Sequence, residues 1–168
     1  MQKFVRGLQD AGLEVEVVGI GGLLEMPEIA DIRSALSVLV NPDSGTELIR
    51  LLSGARWRIG ARDINELYKM AKRLNRRLRE SNQKLLASAE EEAISIVDAL
   101  DRLTEDKEIV NHGISEEGLA RMKEAGKLFA VMRARIGLPL PELVRAIVSE
   151  LWLDIELMAN PSRRHPLI

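Results

Sequence analysis

Cysteine is absent from the 168-residue chain. Disulfides and thiolate metal sites are therefore excluded, and a reducing, cytoplasmic setting is expected. Aromatic residues supply only 3% of the sequence, so a core has to be built from Leu, Ile, Val, Ala and Met. No apolar run approaches the roughly 20 residues that cross a bilayer. Met1–Arg6 also lacks the apolar stretch of a signal peptide, and no membrane partner is expected. The two histidines, His112 and His165, both fall in turn-like stretches. Glu90, Glu91 and Glu92 are consecutive, so on a helix they point in different directions and read as a solvated face. No Gly-Lys-Ser/Thr triplet occurs, which excludes a phosphate-binding P-loop within these residues. The expectation is no catalytic residue, no metal site and no bound cofactor on this chain.

What the sequence does have is segregated charge. The formal net charge of −2 hides a segment, residues 50–79, with 10 basic and 2 acidic side chains. Residues 80–118 reverse this, with 3 basic and 11 acidic. A local excess of eight positive charges over thirty residues is a footprint that a polyanion can read. The competing reading packs the basic helix beside the acidic one so that the two cancel.

Apolar periodicity predicts a mainly α chain. Phe4, Val5, Leu8 and Ala11 mark a helix that Gly12 stops. Leu13–Val18 alternates apolar and charged residues, the pattern of one half-buried β-strand, which needs a sheet from elsewhere. Gly19-Ile20-Gly21-Gly22 matches no nucleotide fingerprint and reads as a tight turn. A helix opens at Pro27-Glu28 with Ile29, Ile32, Leu36, Leu39 and Val40 as its stripe. Ser44 and Glu47 form a candidate capping box for a helix from Gly45 to about Ser53. The basic helix begins near Asp63 and runs to about Asn82, burying Ile64, Leu67, Met70 or Ala71, Leu74 and Leu78. Further helices are expected over about Leu85–Leu103, Ser115–Ile136 and from Leu140 on, the last lined by Leu143, Ile147, Leu151 and Ile155. Asn111-His112-Gly113 is a turn.

Gly54–Asp63 is where the chemistry concentrates. It is a glycine-bounded hairpin carrying Arg56, Arg58 and Arg62, with Ile59-Gly60 at its tip. A helix N-terminus offers unpaired N–H groups and partial positive charge, and glycine permits close approach of a ligand. Such a hairpin suits a phosphate oxygen. The candidate DNA-binding residues are Arg56, Arg58, Ile59, Gly60, Ala61 and Arg62, with Lys69, Lys72 and Arg73 on the helix behind. None of these needs a base edge, so binding would be sequence-independent and salt-sensitive. The alternative makes Trp57 and Ile59 core plugs and the arginines ordinary surface.

The order of motifs resembles UvrD/Rep/PcrA-type superfamily 1 DNA helicases of an actinobacterial kind. The resemblance runs through Gly12-Leu13-Glu14-Val15-Glu16-Val17-Val18-Gly19, Leu23-Leu24-Glu25-Met26-Pro27-Glu28-Ile29-Ala30-Asp31 and Leu39-Val40-Asn41-Pro42-Asp43. It continues through Leu48-Ile49-Arg50-Leu51-Leu52, Arg56-Trp57-Arg58-Ile59-Gly60 and Leu138-Pro139-Leu140-Pro141-Glu142-Leu143. Residues 64–135 match in helical character only. The chain departs from the family at Leu23 and Leu24, where aromatics are usual, at Met26, where arginine is usual, and at Arg58, which stands where relatives have glycine. The resemblance implies that residues 1–43 are the N-terminal piece of a RecA-like motor domain 2A, which would own the strand. It implies that residues 44–168 are most of a helical 2B accessory domain with a helix-hairpin-helix-like element. It implies a fragment of an ATP-dependent 3′–5′ DNA helicase whose parent uses ATP and Mg²⁺, while this piece grips duplex backbone beside the rest of the helicase chain. A protein-interaction or regulatory module of a helicase-nuclease, docking a partner subunit, is the alternative.

Overall fold

The computed structural model describes residues 4, 7–8, 10–13, 15, 26–82, 93–105 and 113–159. The chain forms two compact units, Met1–Ala30 and Asp31–Ile168. In the first, Phe4, Gly7, Leu8 and Asp10 are helical. The helix stops as expected at Gly12, whose φ of 79° places it in the left-handed region. The Leu13 N–H then reaches back to the Leu8 carbonyl at 3.1 Å, a closing bond that glycine's conformational freedom permits. Of the expected strand, only Leu13 and Val15 are described, and neither lies in a strand. Its other positions, and Gly19–Gly22, fall outside the described residues.

The second unit is built from helices. Among the described residues these are α1 (Pro27–Val40, beginning in the first unit), α2 (Gly45–Ser53), α3 (Ala61–Asn82), α4 (Ile96–Glu105), α5 (Glu116–Arg133), α6 (Leu140–Glu150) and α7 (Leu153–Ala159). The expected domain boundary at residue 43 differs from the division after Ala30. Ala35, Val38 and Leu39 of α1 belong to the same core as α2–α6, and Asp31 Oδ1 accepts from Arg50 Nε of α2 at 2.6 Å.

α4 is the central element, packing on α2, α3 and α5. Its Val97, Ala99, Leu100 and Leu103 are buried, each larger one contributing on the order of 2 kcal/mol by leaving water. At the α4–α5 crossing, a methyl group on Gly126 would overlap the Thr104 side chain. Glycine there lets the two helices touch backbone to side chain.

Several expected boundaries move, each for a local reason. Val40 is exposed; of the expected stripe of α1, Leu39 is buried and Ile32 and Leu36 are partly buried, and Ala35 and Val38 are buried beside them. The Ser44–Glu47 capping box does not form; Ser44 is buried at the N-cap and makes no side-chain capping bond. Of the helix expected over Leu85–Leu103, residues 85–92 lie outside the described residues; Ala93 is exposed and non-helical, and the described helix begins at Ile96. A different box sets that start: Ser95 Oγ accepts from the Val97 and Asp98 N–H groups at 3.1 Å, and Asp98 Oδ2 accepts from Ser95 N–H at 2.8 Å. Asn75 of α3 secures the chain just before it, exchanging two bonds with the Ile94 backbone at 2.7 and 2.8 Å. α5 ends at Arg133 and leaves Ile136 exposed. The last expected helix breaks at Trp152, whose φ is 59°, so Ile155 is 59% exposed and Leu153 is buried instead. Gly113 has φ 98°; Asn111 and His112 of the expected turn lie outside the described residues, as do His165 and Glu90–Glu92.

Candidate nucleic-acid interface

Residues 54–60 join α2 to α3, and their shape is set from inside. Trp57 is only 2% exposed and its ring centroid lies 5.7 Å from that of Phe129 on α5. Ile59 is 3% exposed. Both are core plugs, so the expected apolar tip is wrong for Ile59: burial of its side chain is worth more than display. Two hairpin N–H groups also point inward, Arg58 to the Gly54 carbonyl and Ile59 to the Leu52 carbonyl, each at 2.9 Å.

Burying residues 57 and 59 turns residue 58 outward. Arg58 has φ 49°, the left-handed well that favours glycine. The backbone makes a glycine-like turn with an arginine on it. Arg121 of α5 braces the turn, donating from Nη1 to the Arg58 carbonyl at 3.1 Å while its other end pairs with Glu117.

Arg56 is committed to the interior scaffold. Its Nη2 lies 2.6 Å from Glu124 Oε1 of α5, its Nε donates to the Glu150 carbonyl of α6 at 3.4 Å, and its guanidinium stacks 3.5 Å from the Trp152 ring centroid. Little of that guanidinium is left for an outside anion.

Gly60 is the residue before α3. Its carbonyl accepts from Asp63 N–H at 3.0 Å and Ile64 N–H at 3.1 Å. The N–H groups of Gly60, Ala61 and Arg62 have no acceptor among the described residues, and a Cβ on Gly60 would meet nothing within 4 Å there. Three successive donors therefore open to solvent at the positive end of a 22-residue helix.

Asp63 does not cap its own helix. Its carboxylate reaches across to α5, where Oδ1 accepts from Ser115 N–H at 2.9 Å and Oδ2 from Ser115 Oγ at 2.6 Å. Ser115 Oγ in turn accepts from Gly118 N–H at 3.0 Å, capping α5. Burial pushes the Asp63 carboxyl up, but the two Ser115 bonds and nearby Arg62 outweigh it and hold the pKa below its ordinary value. A methyl group on Gly118 would overlap the carboxylate. The N-termini of α3 and α5 are thus fastened at one point, directly behind the hairpin.

Along α3, residues 62, 69, 73 and 76 fall within an arc of about 60° at 100° per residue, a basic line about 21 Å long. Arg62, Lys69 and Arg76 are exposed and Arg73 is half-buried. Lys72 lies on the adjoining flank with its Nζ 4.6 Å from the Tyr68 ring centroid. Lys69 pairs with Glu66 at 2.7 Å and Arg76 approaches Glu80 at 3.7 Å, both within α3. Arg58, Arg62, Arg73 and Arg77 enter no ion pair among the described residues. Two of the three α4 carboxylates are engaged elsewhere, Asp98 in its capping box and Asp101 with Arg133 at 2.7 Å, and Glu105 enters no ion pair with α3 among the described residues. Among the described residues, the basic helix is therefore not neutralised by ion pairs to α4.

Of the nine candidate residues, Arg58, Gly60, Ala61, Arg62, Lys69 and Lys72 are exposed, Arg73 is half-buried, Ile59 is turned inward and Arg56 is tied down. The bracing residues Arg121, Glu124, Ser115 and Trp152 carry no local signal, since each reaches the hairpin across a long stretch of chain. No helix is long and apolar enough to cross a membrane, and no group of three or more His, Asp or Glu converges among the described residues. Compared with protein-family models and with curated proteins, the chain matches none.

Proposed function

We propose that the helical unit is a duplex-contacting accessory domain of a UvrD-like DNA helicase, gripping phosphates through the hairpin between α2 and α3. The two helices and their connector act as a helix-hairpin-helix element. On this reading the N-terminal residues supply a strand to a motor domain 2A. ATP and Mg²⁺ serve the rest of the helicase chain, and this piece carries no catalysis of its own.

The observation that supports the reading is the joint geometry at residues 58–62. Beside a left-handed turn at Arg58, three N–H donors at the head of α3 have no acceptor among the described residues, and Arg58 and Arg62 are exposed and enter no ion pair there. Oriented backbone donors together with unpaired arginines match a phosphodiester oxygen and make no use of base identity.

Fluorescence anisotropy with a blunt 20-base-pair duplex tests it. Binding should be independent of sequence and fall with salt, with a log–log slope near −0.9 for each phosphate neutralised. Arg58→Gly and Arg62→Ala should each reduce that slope by about one while leaving the helical fold intact. Salt-independent binding, or an unchanged slope in both variants, would refute the hairpin grip.

A further inference from the structure

Two non-glycine residues among those described have positive φ, Arg58 at 49° and Trp152 at 59°. For a bulky side chain this is a costly conformation, and such outliers collect at functional sites. The two are physically linked. Arg56, two residues before Arg58 and therefore within about 7 Å of chain, stacks on the Trp152 ring at 3.5 Å.

Burial does not explain Trp152. Leu151 and Leu153 on either side of it are both 5% exposed and fill the core, while Trp152 is 51% exposed. The left-handed kink between α6 and α7 turns the indole away from that core. One face rests on Arg56, which is itself fixed by Glu124 and the Glu150 carbonyl. The remaining surface is a flat aromatic plate, backed by a cation and held rigid.

Among the described side chains, two nearby carboxylates face cations, Glu124 on Arg56 and Glu150 3.9 Å from Arg135, while Asp154 keeps its charge and accepts from Ile155 N–H at 2.9 Å.

We infer that Trp152 is a stacking platform for an unpaired nucleobase of a single-stranded extension, beside the hairpin that grips the duplex. Every base has a π-face, so stacking adds affinity without adding sequence preference. The guanidinium behind the indole strengthens the plate electrostatically. The site deepens the duplex-binding reading, because it places the boundary between paired and unpaired strands at the hairpin.

Tryptophan emission reports on this directly. The chain has two tryptophans, and Trp57 is buried, so the emission that differs between the wild-type chain and Trp152→Gly belongs to Trp152. Glycine also suits the left-handed backbone, so the variant should fold. Oligo-dT should quench the Trp152 emission at low salt. A duplex with a single-stranded extension should bind about fivefold or more tighter than a blunt duplex. Trp152→Gly should lose that preference, read as the ratio of the extended-duplex to the blunt-duplex affinity of the same variant. Oligo-U run in parallel separates DNA from RNA as the source of the base. Absence of quenching by either oligonucleotide, or an extension preference that survives in Trp152→Gly, overturns the platform. Quenching without blunt-duplex binding would uphold the platform and refute the hairpin grip. Blunt-duplex binding without quenching would do the reverse.

Discussion

Arg58 holds a left-handed turn that costs an L side chain about 1 kcal/mol or more. Glycine would relieve that strain but add chain entropy to the unfolded state, a loss of similar size. Arg58→Gly should therefore shift stability by less than about 1 kcal/mol in urea unfolding. Arg58→Val should cost about 2 kcal/mol, because a β-branched residue fits the left-handed well poorly. Asp63 gives a second residue-level prediction. Its folded pKa lies below its unfolded value, so the carboxylate stabilises the fold fully above the unfolded pKa and loses that effect as pH falls through the folded one. At pH 7, Asp63→Ala should cost about 2 kcal/mol, since it removes two charge-assisted bonds. Unfolding curves taken at several pH values should show the gap to wild type closing below about pH 4. The sequence marks Asp63 as a residue of a helix start. It cannot show which helix, because Ser115 lies 52 positions away.

At the scale of elements, periodicity located most helices and misplaced several ends. α3 follows its spacing through Ile64, Leu67, Met70 and Ala71, which are buried, and Leu74, which is partly buried, while Leu78 at the end of the expected stripe is exposed. α4 shows why ends fail. Apolar spacing continues smoothly back through Ala93, but the Ser95–Asp98 box fixes the start at Ile96, and periodicity is blind to it. Ser95→Ala should cost about 1 kcal/mol, read by thermal or denaturant unfolding. The break at Trp152 was missed for a related reason: nothing in the local sequence announces a left-handed tryptophan. The crossing of α4 and α5 depends on Gly126 lying against Thr104. Gly126→Ala should destabilise by about 1–3 kcal/mol through overpacking. Adding Thr104→Ala should recover part of that loss, and a double-mutant cycle of unfolding free energies would show the coupling.

For the whole molecule, the mainly helical class followed from pattern and composition, because 3.6-residue spacing of Leu, Ile, Val and Met recurs along most of the chain. The candidate surface was only half legible. Charge segregation pointed to residues 50–79, and α3 does carry an exposed basic line along one face. The division of labour among the hairpin arginines was not readable. Arg56, Arg58 and Arg62 look alike in sequence, yet one is locked inside, one carries a strained turn and one stands at a helix head.

The bracing of the hairpin also sets an order in time. Its ties span 52 residues at Asp63–Ser115, 63 at Arg58–Arg121 and 94 at Arg56–Glu150. During synthesis they become possible in that sequence, since Ser115, Arg121 and Glu150 are added in that order. The residues around Arg58 therefore acquire their final shape only after Glu150 and Trp152 have been synthesised, late in the birth of this chain.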